Sequence, residues 1–264
     1  MKKILLLSIL TLSVISLTLN SCKKDKPDTE TQSTVDNNIC ESEFTKILPN
    51  VNSIATRQNG IRTTVCPTVF VDPLDTLNGF PVTMTIDYGT ACTDSIDGKL
   101  RKGKIICVFS SKWSSIGSSI KVNLVNYSVN NISYSADSIK ISRTAATSFT
   151  NVVYDGKCSS SSFNLLWKGT FTLSQTAGSA TLYPYDDVFE VSGSANGKNR
   201  NNLDYTTTIS SPLVKRSSCG WIESGKLVLT PSGMEPRTVN FGNGNCDNQA
   251  LLTIKDNTFT FTMN

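Results

Sequence analysis

Three groups of residues have the types and spacing to do chemistry, and each has a plainer structural alternative. Asp186, Asp187 and Glu190 follow Tyr183-Pro184-Tyr185. Paired carboxylates beside aromatic rings are the equipment of a glycoside hydrolase, one serving as acid and one as nucleophile or base. Adjacent side chains on an extended chain diverge, however, so an acidic loop between strands is the simpler expectation for Asp186 and Asp187. Asn243, Asn245 and Asp247 place oxygen side chains at alternate positions beside two glycines, as a calcium (Ca) loop would, and Asp94 with Asp97 gives a thinner version. Neither stretch has a bidentate Glu at the offset such loops use, and Asn with Gly serves equally well in a tight turn. Trp113, Trp167 and Trp221, with Tyr183 and Tyr185, could form a platform for sugar rings. Trp167 lies in an apolar strand and is assigned to the core. Trp113 and Trp221 lie nearer turns and are the surface candidates.

The chain contains no histidine. That removes Ser-His-Asp and Cys-His catalysis, His-ligated zinc and histidine pH switches. The expectation is therefore a non-enzymatic domain that binds a ligand or an envelope partner and needs no cofactor. A glycan-binding surface and a histidine-free hydrolase are the alternatives.

The elements that must carry these residues are mostly strands. Ile120, Val122 and Leu124 alternate with Lys121 and Asn123, while Phe259, Phe261 and Met263 alternate with threonines. Period two with one apolar face marks half-buried strands. Further strands are expected at Lys104–Phe109, Ile139–Ser142, Phe163–Trp167, Thr170–Leu173, Leu203–Ile209 and Lys226–Leu229. Asn59-Gly60, Asn78-Gly79, Asp97-Gly98, Asp155-Gly156 and Asn196-Gly197 read as tight turns between them. A short helix is expected over Asn37–Leu48, with Asn38 as its cap. The fold class is all-β: an antiparallel meander forming either a sandwich or a curved, barrel-like sheet, with a short N-terminal helix.

The N-terminus has the parts of an export signal: Lys2 and Lys3, an apolar run from Ile4 to Leu19, and small Ser21 before Cys22. The run is shorter than the roughly 20 residues of a spanning helix. Its Leu19-Asn20-Ser21-Cys22 ending resembles a lipobox. The resemblance implies a signal peptide over residues 1–21 and a lipid anchor on Cys22. It also implies a place in the cell envelope at the outer membrane, on the periplasmic or the exterior face. Residues 22–36 read as a flexible tether and residues 37–264 as a single β-rich domain. Loss of Lys2 and Lys3 leaves 23 basic residues against 21 acidic ones, so nucleic acid is not expected as a partner.

Two passages repeat. Ile86-Asp87-Tyr88-Gly89-Thr90-Ala91-Cys92 matches Val239-Asn240-Phe241-Gly242-Asn243-Gly244-Asn245-Cys246 with one residue inserted. These blocks, with Val125-Asn126-Tyr127-Ser128-Val129-Asn130 between them, resemble an uncharacterised family of β-rich lipoproteins from Bacteroidetes-type bacteria. The resemblance runs from about Val65 to the C-terminus and implies the fold without any transferable catalytic residue. Asp75-Thr76-Leu77, Asp94-Ser95-Ile96 and Asp137-Ser138-Ile139 resemble the tripeptide that receives O-linked glycans in these bacteria. Setting the lipidated Cys22 apart, seven of the eight cysteines remain, an odd number in an oxidising compartment. The repeat suggests the bonds Cys66–Cys92 and Cys219–Cys246. Cys107, in an apolar strand, is expected as a buried free thiol. Cys40 and Cys158 then remain as a possible third bridge.

Overall fold

The computed structural model of the protein describes residues 28–57, 66–72, 79–94, 97–181 and 183–263. Cys22, Asn59-Gly60 and the Asp75-Thr76-Leu77 triplet lie outside them, as do Asn78, Ser95 and Ile96. Among these residues one helix, α1 (Gln32–Arg57), precedes fifteen strands. In chain order these are β1 (Thr68–Asp72), β2 (Val82–Asp87), β3 (Cys92–Thr93), β4 (Leu100–Phe109) and β5 (Ser119–Val129). Next come β6 (Ile132–Ser135), β7 (Ser138–Arg143), β8 (Ser148–Ser159), β9 (Asn164–Ala177) and β10 (Val188–Lys198). Last are β11 (Asp204–Arg216), β12 (Ser224–Pro231), β13 (Arg237–Asn243), β14 (Gln249–Ile254) and β15 (Asn257–Thr262).

All the strands belong to one antiparallel sheet in near-sequential order, with only the short β3 and β7 off its main path. The chain is all-β, and the two expected closures resolve to a single sheet rather than a sandwich. Side chains from β4, β9, β11 and β13 all reach α1 or the residues just before it. One helix can be met from both halves of a sheet only if the sheet curves around it. The edge strands β1 and β15 do not pair with each other, so the curve stays open along one seam.

Two of the expected turns are not turns. Asp155-Gly156 is a bulge inside β8, where the register shifts between Val153 and Gly156 and Asp155 takes a positive φ of 46°. A Cβ on Gly156 would stand 2.8 Å from the Trp167 carbonyl oxygen and 3.0 Å from the Phe44 ring, so the neighbouring strand and the helix both need glycine there. Asn196-Gly197 lies within β10, where Gly197 faces Tyr205 and a Cβ would overlap the tyrosine ring. Close approach of a ring, not hairpin geometry, calls for glycine at that position.

The helix extends beyond its expected bounds at both ends, running 26 residues through Pro49. Its first residues belong to the stretch read as tether, so the domain boundary moves back to at least Asp28. Glu30 caps the start, its carboxylate accepting the Ser33 amide at 2.7 Å. Asp36 then accepts the Arg200 guanidinium Nε at 2.9 Å, and Asn199 donates to the Ser33 hydroxyl at 3.0 Å. Ile39, Phe44, Ile47, Leu48 and Val51 are fully enclosed, and Phe44 stacks on Trp167 at 5.3 Å between centroids. Trp167 is core, as its strand implied. The polar flanks of α1 are enclosed too, and the sheet satisfies much of their hydrogen bonding. Trp167 Nε1 donates to Asn37 at 3.0 Å, Tyr134 to the Ile39 carbonyl at 3.2 Å, and Asn151 to the Phe44 carbonyl at 2.9 Å.

Three disulfides pin this arrangement: Cys40–Cys158, Cys66–Cys92 and Cys219–Cys246, with Cα separations of 6.0, 5.8 and 5.8 Å. The first ties α1 to β8, and the other two close the repeated hairpins. Among the described residues Cys107 is the free cysteine; it is buried, its thiol pushed up in pKa by burial and so unreactive.

Candidate functional site

The two repeated hairpins meet at one helix residue. The Lys46 ammonium lies 3.2 Å from Asp97 of the first loop and donates to the Cys219 carbonyl of the second at 2.7 Å. Around it Lys46, Lys99, Arg101 and Lys215 face Glu41, Glu43, Asp94 and Asp97, so the enclosed charges balance. Arg101 is the hub. It forks onto Asp97 at 2.6 and 2.8 Å, reaches Asp94 at 3.3 Å and Glu43 at 3.6 Å, and donates to Tyr127 at 3.1 Å. Tyr127 in turn donates to Glu43 at 2.6 Å.

Burial dominates the ionisation of these groups. It would raise Asp97, but hydrogen bonds from Arg101 and the charge of Lys46 more than reverse that, leaving the carboxyl below its usual range. Lys215 has no such rescue. Burial first, then the charge of Lys46, bring its pKa down to about 7, while Glu41 pulls the other way. Its ammonium donates to the Ser42 carbonyl at 2.9 Å and to the Thr45 hydroxyl at 2.6 Å. Glu41 is raised by the same burial, against a hydrogen bond from Asn37. These groups are buried and bonded across the helix–sheet boundary, so the cluster acts as a lock between helix and sheet.

The signal for this cluster was present in the strands. Arg101 is in phase with Ile105, Cys107 and Phe109, Lys215 with Leu213, and Arg237 with Val239 and Phe241. A charge on the apolar phase of a strand is a buried charge, and buried charges need partners. The partners were not legible, because they lie on the helix and in distant loops. Arg237, for example, reaches back to Asp28 at 2.8 Å.

The inward side being filled by α1, a concavity lies on the outer face of β8–β12. It is a trough of about 890 Å³, its floor including Leu166, Lys168, Asn196 and Thr206, with Lys198 and Met234 at its margins. Leu166 and Met234 are 45 % and 40 % exposed. Lys168 has no ion pair among the described residues, whereas Lys198 meets Asp204 at 3.0 Å.

The candidates read from sequence fall elsewhere. Trp113 is not a surface ring: it is 8 % exposed, stacked on Phe149 at 5.5 Å and hydrogen-bonded to Asn52 at 3.0 Å. Its turn folds inward because the indole N–H finds that buried amide. Trp221 is half-buried against the core. Tyr183 and Tyr185 are the exposed members, around the 3-10 turn Pro184–Asp186. The three acids beside them separate. Asp187 is buried and accepts from Gln175 at 2.9 Å, Asp186 accepts from Thr181 at 2.9 Å, and Glu190 projects outward from β10.

Asp247 accepts the Gln249 amide at 2.9 Å, capping its own turn, and Asn243 and Asn245 are exposed beside it. Cys219, Glu223 and Cys246 bring ligand-type atoms together, but the two sulfurs are bonded to each other and offer no thiolate. In the Asp137-Ser138-Ile139 triplet, Ser138 opens β7 half-buried rather than on an exposed loop.

These features define a class: an antiparallel sheet curved around one disulfide-tied, polar helix. No protein-family model, curated protein or solved structure matches the chain. Among the described residues no helix is long and apolar enough to cross a membrane.

Proposed function

We propose that this chain is a cell-envelope lipoprotein, anchored through Cys22, whose β domain binds a ligand or partner without catalysis. It is of the kind that the repeated aromatic-Gly blocks suggested, from Bacteroidetes-type bacteria. The observation that carries the binding reading is the contrast between the two faces of the sheet. The concave face is filled by α1, and the outer face offers the trough around Leu166 and Lys168. The trough mixes apolar, amide, hydroxyl and ammonium groups, as a recognition surface does. Separation of Asp186, Asp187 and Glu190 supports the non-catalytic reading.

A glycan ligand is the second reading, resting on the exposed rings of Tyr183 and Tyr185. Two measurements test the whole. Labelled fatty acid should enter the wild-type chain and not Cys22→Ser; equal labelling of both sinks the anchor. The paired change Leu166→Glu and Lys168→Glu should abolish binding to whole envelopes without lowering stability. Retention of binding would remove the trough, and turnover lost in Asp186→Asn would restore the hydrolase.

A further inference from the structure

The edge strand β15 pairs with β14 on one side and, among the described residues, with nothing on the other. The Met263 amide donates to the Asn248 carbonyl at 2.7 Å, in line with the β14–β15 register. Hydrogen-bonded pairs alternate along an antiparallel ladder, so Phe261 and Phe259 likewise spend their backbone groups on β14. The amides and carbonyls of Thr258, Thr260 and Thr262 therefore point away from the sheet. Edge strands are ordinarily blunted by lysine, proline, bulges or inward charge. Asn257–Thr262 has none of these, whereas the opposite edge, β1, is only 5 residues long and ends in Asp72.

The strand is also a palindrome. Thr258-Phe259-Thr260-Phe261-Thr262 reads the same in both directions about Thr260. We propose that two copies of this chain associate by pairing β15 with β15 antiparallel, about a two-fold axis at Thr260. Thr258 then stands opposite Thr262, Thr260 opposite itself, and Phe259 opposite Phe261. The ladder uses each outward backbone group, and the half-buried phenylalanines of the two copies cover one another on the concave side. The symmetry is that of an isologous interface. No charge on the strand opposes the approach, and the flanking Lys255 is held by Glu235 at 2.7 Å. Six residues a side fall short of the roughly 1,200 Å² of a stable interface, so the dimer is concentration-dependent. Anchorage of both copies in one membrane would raise their effective concentration.

Sedimentation of the purified protein over a hundredfold concentration range should show reversible dimerisation. Thr260→Pro removes only an outward amide and spares the β14 ladder, and it should weaken the dimer at least about tenfold. Thr260→Cys places two sulfurs across the axis, where Cα atoms about 5.5 Å apart suit a disulfide. It should give a covalent dimer under oxidation, and Thr253→Cys, one strand inward, should not. Equal cross-linking of the two variants, or a wild-type chain monomeric at every concentration, overturns the pairing. A dimer that Thr260→Pro leaves intact overturns its placement at β15.

Discussion

In the first disulfide-closed hairpin Asp94 and Asp97 turn inward onto Arg101; in the second, Asn243, Asn245 and Asp247 stay at the surface. Up to that point the two are close copies. Asp87 accepts the Gly89 amide at 2.8 Å, and Asn240 accepts the Gly242 amide at 3.1 Å. Tyr88 and Phe241 are both buried between these groups, and both glycines have positive φ. The turns are therefore the same device, an Asx cap that lets an aromatic ring enter the core. What differs is the following strand: β4 puts Arg101 on its inward phase and captures the first loop's acids. A shared motif thus governs local shape, and one charge on the neighbouring strand decides whether the loop's oxygens turn inward or stay at the surface.

The largest test of that contrast is Arg101→Met, which takes the guanidinium from enclosed Glu43, Asp94 and Asp97 and leaves Asp97 only its Lys46 ion pair. It should cost about 3–5 kcal/mol in urea unfolding. Lys226→Met, on the outer face of β12 beside the second loop, should cost under about 0.5 kcal/mol. Comparable losses from the two would end the distinction.

Removal of the cross-links comes next. The closed segments have sequence separations of 26 and 27 residues. Chain entropy therefore assigns each disulfide about 3.5 kcal/mol. Paired Cys66→Ala and Cys92→Ala should match paired Cys219→Ala and Cys246→Ala within about 1 kcal/mol. A much larger loss in the first hairpin would mean that its clamp also holds the charge cluster in place.

A smaller effect concerns pH. Lys215 titrates at about 7 in the folded chain and near the ordinary lysine value of about 10.4 when unfolded. Between those values the unfolded state binds the extra proton, so stability should rise with pH above 7, by at most about 1.4 kcal/mol per unit. Lys46 and Lys99, lowered mainly by burial, act in the same direction. The rise should stop near pH 9–10, where Cys107 and the buried tyrosines, all raised, begin to ionise only in the unfolded chain. Urea titrations at pH 7, 8 and 9 should show the slope, and Lys215→Met should flatten it. Asp97, held below the carboxylate range, keeps its contribution above about pH 4 and loses it as pH falls further.

The smallest effect belongs to the second loop itself. Asp247→Asn preserves an acceptor for the Gln249 amide and should shift stability by no more than about 0.5 kcal/mol. A melting temperature raised by calcium in the wild type but not in Asp247→Asn would instead make this loop a cation site.

Most of the strands were legible because period-two alternation is a local property. Ile120 to Leu124 and Phe259 to Met263 carry it within five residues. The disulfide pairing was legible because the repeat preserved an Asx-aromatic-Gly turn beside each second cysteine. The helix start at Gln32, the burial of Trp113 and the bulge at Asp155-Gly156 were not, since each is decided by a partner far away in the chain. Asp36 is held from 164 residues distant by Arg200, Trp113 from 61 by Asn52, and Gly156 is crowded by the Trp167 carbonyl and the Phe44 ring of the helix. The charge cluster shows the same division. Sequence by itself determined the strand cores Lys104–Phe109 and Leu203–Ile209, and the fold extends β4 and β11 to put Arg101 and Lys215 on inward phases. Only the closing of the sheet around α1 supplied the carboxylates that make those positions tolerable, because a charge leaves water only where opposite charges are already enclosed.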